Sequence, residues 1–106
     1  MVGEIYLAEI FFTDLSESKI RPILIIKELD KEDVICLQLS TQFKKDRIVI
    51  SNNDLINGIL KKDSVVVVPK NFTLNKQLLI KKVAKVNRNK FDEIFDVFCK
   101  EIGCNY

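Results

Sequence analysis

Arg21 is the residue on which chemistry is most readily built. The chain holds 17 basic residues in 106, and only Arg21, Arg47 and Arg88 among them are arginines. A lysine is a generic solubilising charge, whereas the planar guanidinium fork matches the oxygens of a phosphate. Arg21 follows a polar turn, Thr13-Asp14-Leu15-Ser16-Glu17-Ser18-Lys19, and opens an apolar run. A second polar cluster, Ser40-Thr41-Gln42, closes another such run. If the two runs pair as a hairpin about Asp30–Glu32, antiparallel geometry sets Arg21 near Ser40 and Thr41. A guanidinium beside two hydroxyls and an amide resembles a phosphate-binding corner. The residues alone equally allow Arg21 to pair with Glu17 or to cap a strand end, since structural ion pairs mimic active sites. Arg47 and Arg88 read as surface residues without a task.

Histidine is absent, which removes the commonest zinc ligand and the commonest acid–base group. The cysteines, Cys36, Cys99 and Cys104, are odd in number and show no CxxC spacing. No metal and no cofactor are expected, and a reducing, cytoplasmic setting is.

The elements that must position the corner are mostly strands. Glu4–Phe11 is β-rich, and Arg21–Ile26 is branched and apolar on both faces, which predicts a central, buried strand with Pro22 near its beginning. Val34–Leu39 reads as the return strand of the hairpin, with Cys36 in the core. Ile48–Ile50 marks a short strand. Leu55–Leu60, with Gly58 inside it, suits a short turn or helical bend. Ser64–Val68 reads as a strand stopped by Pro69, and Leu78–Val86 as the last. The period then changes, and Phe91, Ile94, Phe95, Phe98 and Ile102 form one apolar stripe at helical spacing. Asn89 suits the N-cap and Gly103 the stop, with Cys99 on or beside the buried face. The stripe reads as a lid on the core. Short antiparallel strands followed by one amphipathic helix predict a mainly β fold, a small partly open barrel or sandwich.

Composition bounds the rest. A hydrophobic fraction of 47% and a charged fraction of 30% describe one soluble domain, residues 1–106, and argue against disorder. The net charge of +2 does not by itself demand a polyanion. No apolar run is long enough to cross a bilayer, and Met1-Val2-Gly3-Glu4 does not open a secretory signal, so no membrane partner is expected.

Phe12-Thr13-Asp14-Leu15-Ser16-Glu17-Ser18-Lys19-Ile20-Arg21-Pro22-Ile23-Leu24-Ile25 resembles the signature turn of the MazF/PemK toxin family. Leu39-Ser40-Thr41-Gln42 resembles its strand-ending element, Gly58 to Val66 its "GLxKxSxV" segment, and Phe72-Thr73-Leu74-Asn75-Lys76 its "xTLDK" segment. Any one of these is unspecific; four in order, over nearly the whole chain, are not.

The resemblance implies a type II toxin on an SH3-like, partly open barrel with a C-terminal helix. It implies a homodimer that cleaves single-stranded mRNA without a metal and is held by a cognate antitoxin, meeting DNA only through that antitoxin. It carries the catalytic arginine onto Arg21 and the catalytic threonine onto Ser40, with the hydroxyl kept and the methyl lost. Thr41 and Gln42 match residues that line the RNA groove, and Glu17 falls where some members place a glutamate, which makes it the candidate base. Thr13, Asp14 and Lys19, in the same turn, would contact the RNA. The chain departs from the pattern at Val67 and Pro69, where certain members carry an Arg-x-Asp pair, and in lacking histidines in the first loop.

In that chemistry the substrate 2′-OH attacks its own phosphate, leaving a 2′,3′-cyclic phosphate and a 5′-OH end. A guanidinium can stabilise the phosphorane but holds its proton too tightly to exchange it near neutral pH. A protein-binding poison on the same barrel, resembling CcdB and acting on gyrase through its C-terminal helix, is the alternative. It would not need the Arg21 corner. A passive barrel adaptor for peptide or RNA would need exposed aromatics.

Overall fold

The computed structural model describes residues 1–11, 17–45 and 47–103. Seven strands, β1 (Glu4–Phe11), β2 (Ser18–Glu28), β3 (Asp33–Ser40), β4 (Ile48–Ile50), β5 (Leu55–Gly58), β6 (Ser64–Asn75) and β7 (Leu79–Val86), precede one helix, α1 (Arg88–Ile102). They form one antiparallel sheet in the order β4-β6-β3-β2-β1-β7-β5, curled into a half-barrel. β2 takes the middle place, as its two-sided apolar character requires.

Alternate residues of β2 enter two cores. Leu24 and Ile26 join Ile5, Leu37, Leu39, Val66, Ala84 and Val86 beneath the helix, which contributes Ile94 and Phe98. Ile23 and Ile25 join Ala8, Val34, Cys36 and Leu74 on the other face. Each such side chain, fully buried, is worth about 1.5–3 kcal/mol. Burial also pushes the Cys36 thiol up to about 12, so it packs as an inert hydrophobe.

Two irregularities shape the sheet. In β2, Ile25 pairs with Cys36 and Lys27 with Ile35, which leaves Ile26 as an extra residue. In β6, Val67 pairs with Gln38 and Asn71 with Leu37, so Val68, Pro69 and Lys70 are looped out. Pro69 cannot donate to a ladder, and a bulge is where a strand tolerates it. An odd number of extra residues reverses the alternation. Val66 and Val68 therefore face the helix-side core while Phe72 and Leu74 face the other. Pro69 was expected to stop the strand; instead the strand bends there and continues to Asn75.

Leu55–Gly58, expected as a turn or bend, is an edge strand paired with β7 and preceded by a 3₁₀ turn at Asn52–Asp54. Gly58 has φ +81°, and a Cβ there would stand 2.2 Å from the Val83 carbonyl oxygen. A glycine is what lets β5 lie against β7. Asn87, not Asn89, caps the helix, accepting from the Lys90 N–H at 2.7 Å, and Gly103 ends it at φ 82°. The apolar stripe divides. Ile94 and Phe98 are buried, Phe91 packs at the margin, and Phe95 and Ile102 stay 39% and 52% exposed. Cys99 is half-buried, as its place beside the stripe predicts, and Cys104 lies outside the described residues. Among the described residues no helix is long and apolar enough to cross a membrane.

Candidate active site

Because Ile26 is extra, the β2–β3 register moves by one residue. Counted without interruption from the Glu28–Val34 pair, Arg21 would meet Thr41. The ladder ends at the Ile23–Gln38 pair beyond the bulge, and its register carried two residues further sets Arg21 opposite Ser40. Residues opposed in an antiparallel pair share a face of the sheet, so Arg21 and Ser40 project the same way, with Gln38 beside them. On its other side Arg21 is paired with Ala8, whose methyl leaves the guanidinium room.

These residues border an open cleft of about 400 Å³, lined by Ile20, Arg21 and Pro22 from β2 and by residues 38–42. No carboxylate among the described residues lines it. Among the described residues no Asp or Glu pairs with Arg21. Its one hydrogen bond among the described residues is a long local one, from Nη1 to the Ile20 carbonyl at 3.4 Å. The pairing with Glu17 that the residues allowed is therefore not formed, and the guanidinium keeps donors for an outside anion.

Ser40 is oriented. Its Oγ accepts the Gln42 backbone N–H at 3.0 Å, which occupies a lone pair and leaves the hydroxyl hydrogen to donate elsewhere. The Gln42 carbonyl in turn accepts from Arg47 Nη1 at 2.9 Å. Arg47, which the sequence left without a task, braces the backbone that aims Ser40. Only the folded β3–β4 loop makes that visible.

The cleft thus gathers Arg21, Ser40, Thr41 and Gln42. Glu17 is exposed and Lys19 lies on β2 opposite Ile10; neither lines the cleft. Thr13 and Asp14 lie outside the described residues. Gln38 and Ile20 line the cleft and went unread, although Gln38 could have been found as the polar residue two before Ser40 on the same strand face. Among the described residues no three His, Cys, Asp or Glu side chains converge as metal ligands would.

Comparison with known proteins agrees with this architecture. The chain resembles "Endoribonuclease from Mycobacterial species" at 17% identity and TM-score 0.76, covering 100% of this chain and 93% of that one. It resembles "Mycobacterium tuberculosis toxin MazF-mt6" at 15% identity and TM-score 0.74, covering 97% and 99%. It also resembles the MazE-MazF structure (Form-II) from Deinococcus radiodurans at 12% identity and TM-score 0.73, covering 96% and 94%. At these identities the likeness is one of fold. No curated protein sequence matches. The family model described as "PemK-like, MazF-like toxin of type II toxin-antitoxin system" matches residues 1–101, and the chain belongs to that family.

Proposed function

We propose that this toxin is an endoribonuclease that cleaves single-stranded mRNA by attack of the substrate 2′-OH, without a metal, and so arrests translation and growth. What carries the reading is one observation: an arginine with no carboxylate partner among the described residues shares an open cleft with an oriented hydroxyl. Arg21 holds two non-bridging oxygens of the scissile phosphate and stabilises the charge that develops on them. Ser40 donates to the same phosphate or positions the 2′-OH. Thr41 and Gln42 line the RNA path, and Lys19, Thr13 and Asp14 contact the RNA. Glu17 is the candidate base.

The protein works as a cytoplasmic homodimer restrained by an antitoxin, whose disordered tail folds across the site. A solved relative, "Endoribonuclease in complex with its cognate antitoxin from Mycobacterial species", supports the nuclease and the antitoxin. Incubating purified protein with RNA in EDTA and mapping the ends tests it. Cleaved RNA with 5′-OH ends supports the nuclease, and intact RNA points instead to a poison that acts by binding protein.

A further inference from the structure

A second cleft, of about 750 Å³, opens beside the first and shares Pro22 and Thr41 with it. Its floor is largely apolar, and its rim carries Lys61, Lys62, Lys81 and Lys82 with no acidic side chain among the lining residues. Lys82 is answered within the protein, at 2.6 Å from Glu4. Lys61, Lys62 and Lys81 are exposed and form no ion pair with a described residue.

The fold builds this rim. Lys81 pairs with Leu7, and Leu7 with Pro22, so one row across β7, β1 and β2 links the lysine to the edge of the Arg21 cleft. Lys61 and Lys62 arrive on the loop after β5, which Asn52 grips at both ends of one residue. Its Nδ2 donates to the Leu60 carbonyl at 3.2 Å, and its Oδ1 accepts the Leu60 N–H at 2.8 Å. Like charges gathered at one rim repel each other, and a bound anion relieves that repulsion.

We propose that this cleft takes the nucleotides flanking the scissile phosphate, with their backbone on the three lysines and their bases against the apolar floor. The proposal rests on the RNA reading above. An acidic peptide would also suit a basic, apolar groove. The RNA is favoured by continuity: a strand whose phosphate sits on Arg21 runs into the second cleft at Pro22 and Thr41, and its evenly repeating charges match lysines that stand on both walls.

The test is binding of a 12-nucleotide, randomised-sequence RNA pool, 2′-O-methylated throughout so that it cannot be cleaved, measured by anisotropy from 0.05 to 0.3 M salt. The full-length protein is compared with the triple variant Lys61→Ala, Lys62→Ala, Lys81→Ala. Expected are a loss of tenfold or more in affinity at the lowest salt and a salt slope shallower by about 2, near 0.7 for each lysine removed. In the unaltered protein the same RNA should shield these three lysines from acylation while Lys31, in the β2–β3 turn, keeps reacting. Equal affinity and slope, or unshielded lysines, overturn the groove alone and leave it to an acidic peptide. Failure of the unaltered protein to bind the pool at all overturns the RNA reading with it.

Discussion

Arg21 and Ser40 line one cleft, two residues beyond the last β2–β3 pair, Ile23–Gln38, whose register is set by the extra residue Ile26. That register has a chemical consequence. Thr41, which would hold the place of Ser40 in an uninterrupted hairpin, has no hydrogen bond to its hydroxyl among the described residues, whereas Ser40 is held from behind by the Gln42 N–H. A hydroxyl already aimed needs no reordering as the phosphorane forms, and preorganised donors are what electrostatic catalysis depends on. The bulge thereby sets the register that carries Ser40, of the two adjacent hydroxyl residues, opposite Arg21.

Replacing Arg21 with alanine should lower the cleavage rate about 100- to 1,000-fold, the usual consequence of losing one preorganised donor. Arg21→Lys should recover little, since a point charge cannot hold two oxygens as the fork does. Circular dichroism and the melting temperature should stay those of the parent, because the side chain contributes only a 3.4 Å local hydrogen bond to the fold. Undiminished cleavage by Arg21→Ala would remove Arg21 from the mechanism.

A double-mutant cycle tests whether Arg47 acts through Ser40, to which the Gln42 backbone links it. Arg47→Ala should lower kcat about 10- to 100-fold, as small misplacements of a reacting group do, with KM little changed. Arg47→Lys should restore part of the rate by offering one donor to the Gln42 carbonyl. In a Ser40→Ala background Arg47→Ala should cost nothing further. Additive losses would show that Arg47 serves something other than the hydroxyl.

Gly58 and Gly3 separate backbone strain from collision. Both have positive φ, but a Cβ on Gly3 would meet nothing closer than 3.9 Å, while one on Gly58 would strike the Val83 carbonyl at 2.2 Å. Gly3→Ala should cost about 1–3 kcal/mol in urea unfolding through strain alone. Gly58→Ala should cost distinctly more and loosen β5 from β7. Equal losses would mean that β5 is not held against β7 as described.

Glu4 ties stability to pH. Burial alone would raise its pKa, but the hydrogen bond from Lys82 and the nearby N-terminal ammonium outweigh that and hold the carboxyl below its usual range. A carboxylate held low stabilises the fold above the ordinary carboxylate range and loses that contribution as pH falls through its own lowered value. Glu4→Gln should therefore cost up to about 1 kcal/mol at pH 7, the scale of an ion pair at the protein surface. The difference from the parent should shrink as pH falls through the carboxyl's lowered value. A penalty that persists in acid would trace the loss to packing rather than charge.

The corner was legible from the residues because it needs only a hairpin: a charged turn at Asp30–Glu32, an apolar strand on each side, and polar residues at the outer ends. The central position of β2 was equally legible, since Leu24 and Ile26 serve one core and Ile23 and Ile25 the other. Helical spacing from Phe91 onward announced the helix, yet it could not say that Phe95 and Ile102 would stay exposed. That depends on how far the sheet extends beneath them.

Local order along the chain thus determined the strands, the helix and the approach of Arg21 to residues 40–42, because alternation, helical period and turn residues act over a few neighbouring positions. Tertiary structure alone decided the rest. It shifted the β2–β3 register by one residue through a bulge at Ile26 and carried β6 past Pro69 from one core to the other. It made a strand of Leu55–Gly58, gave Arg47 a carbonyl to hold, and assembled lysines from β7 and a distant loop beside Pro22. Each of these is settled by pairing between segments far apart in the chain, where burial and backbone hydrogen bonding outweigh local preference.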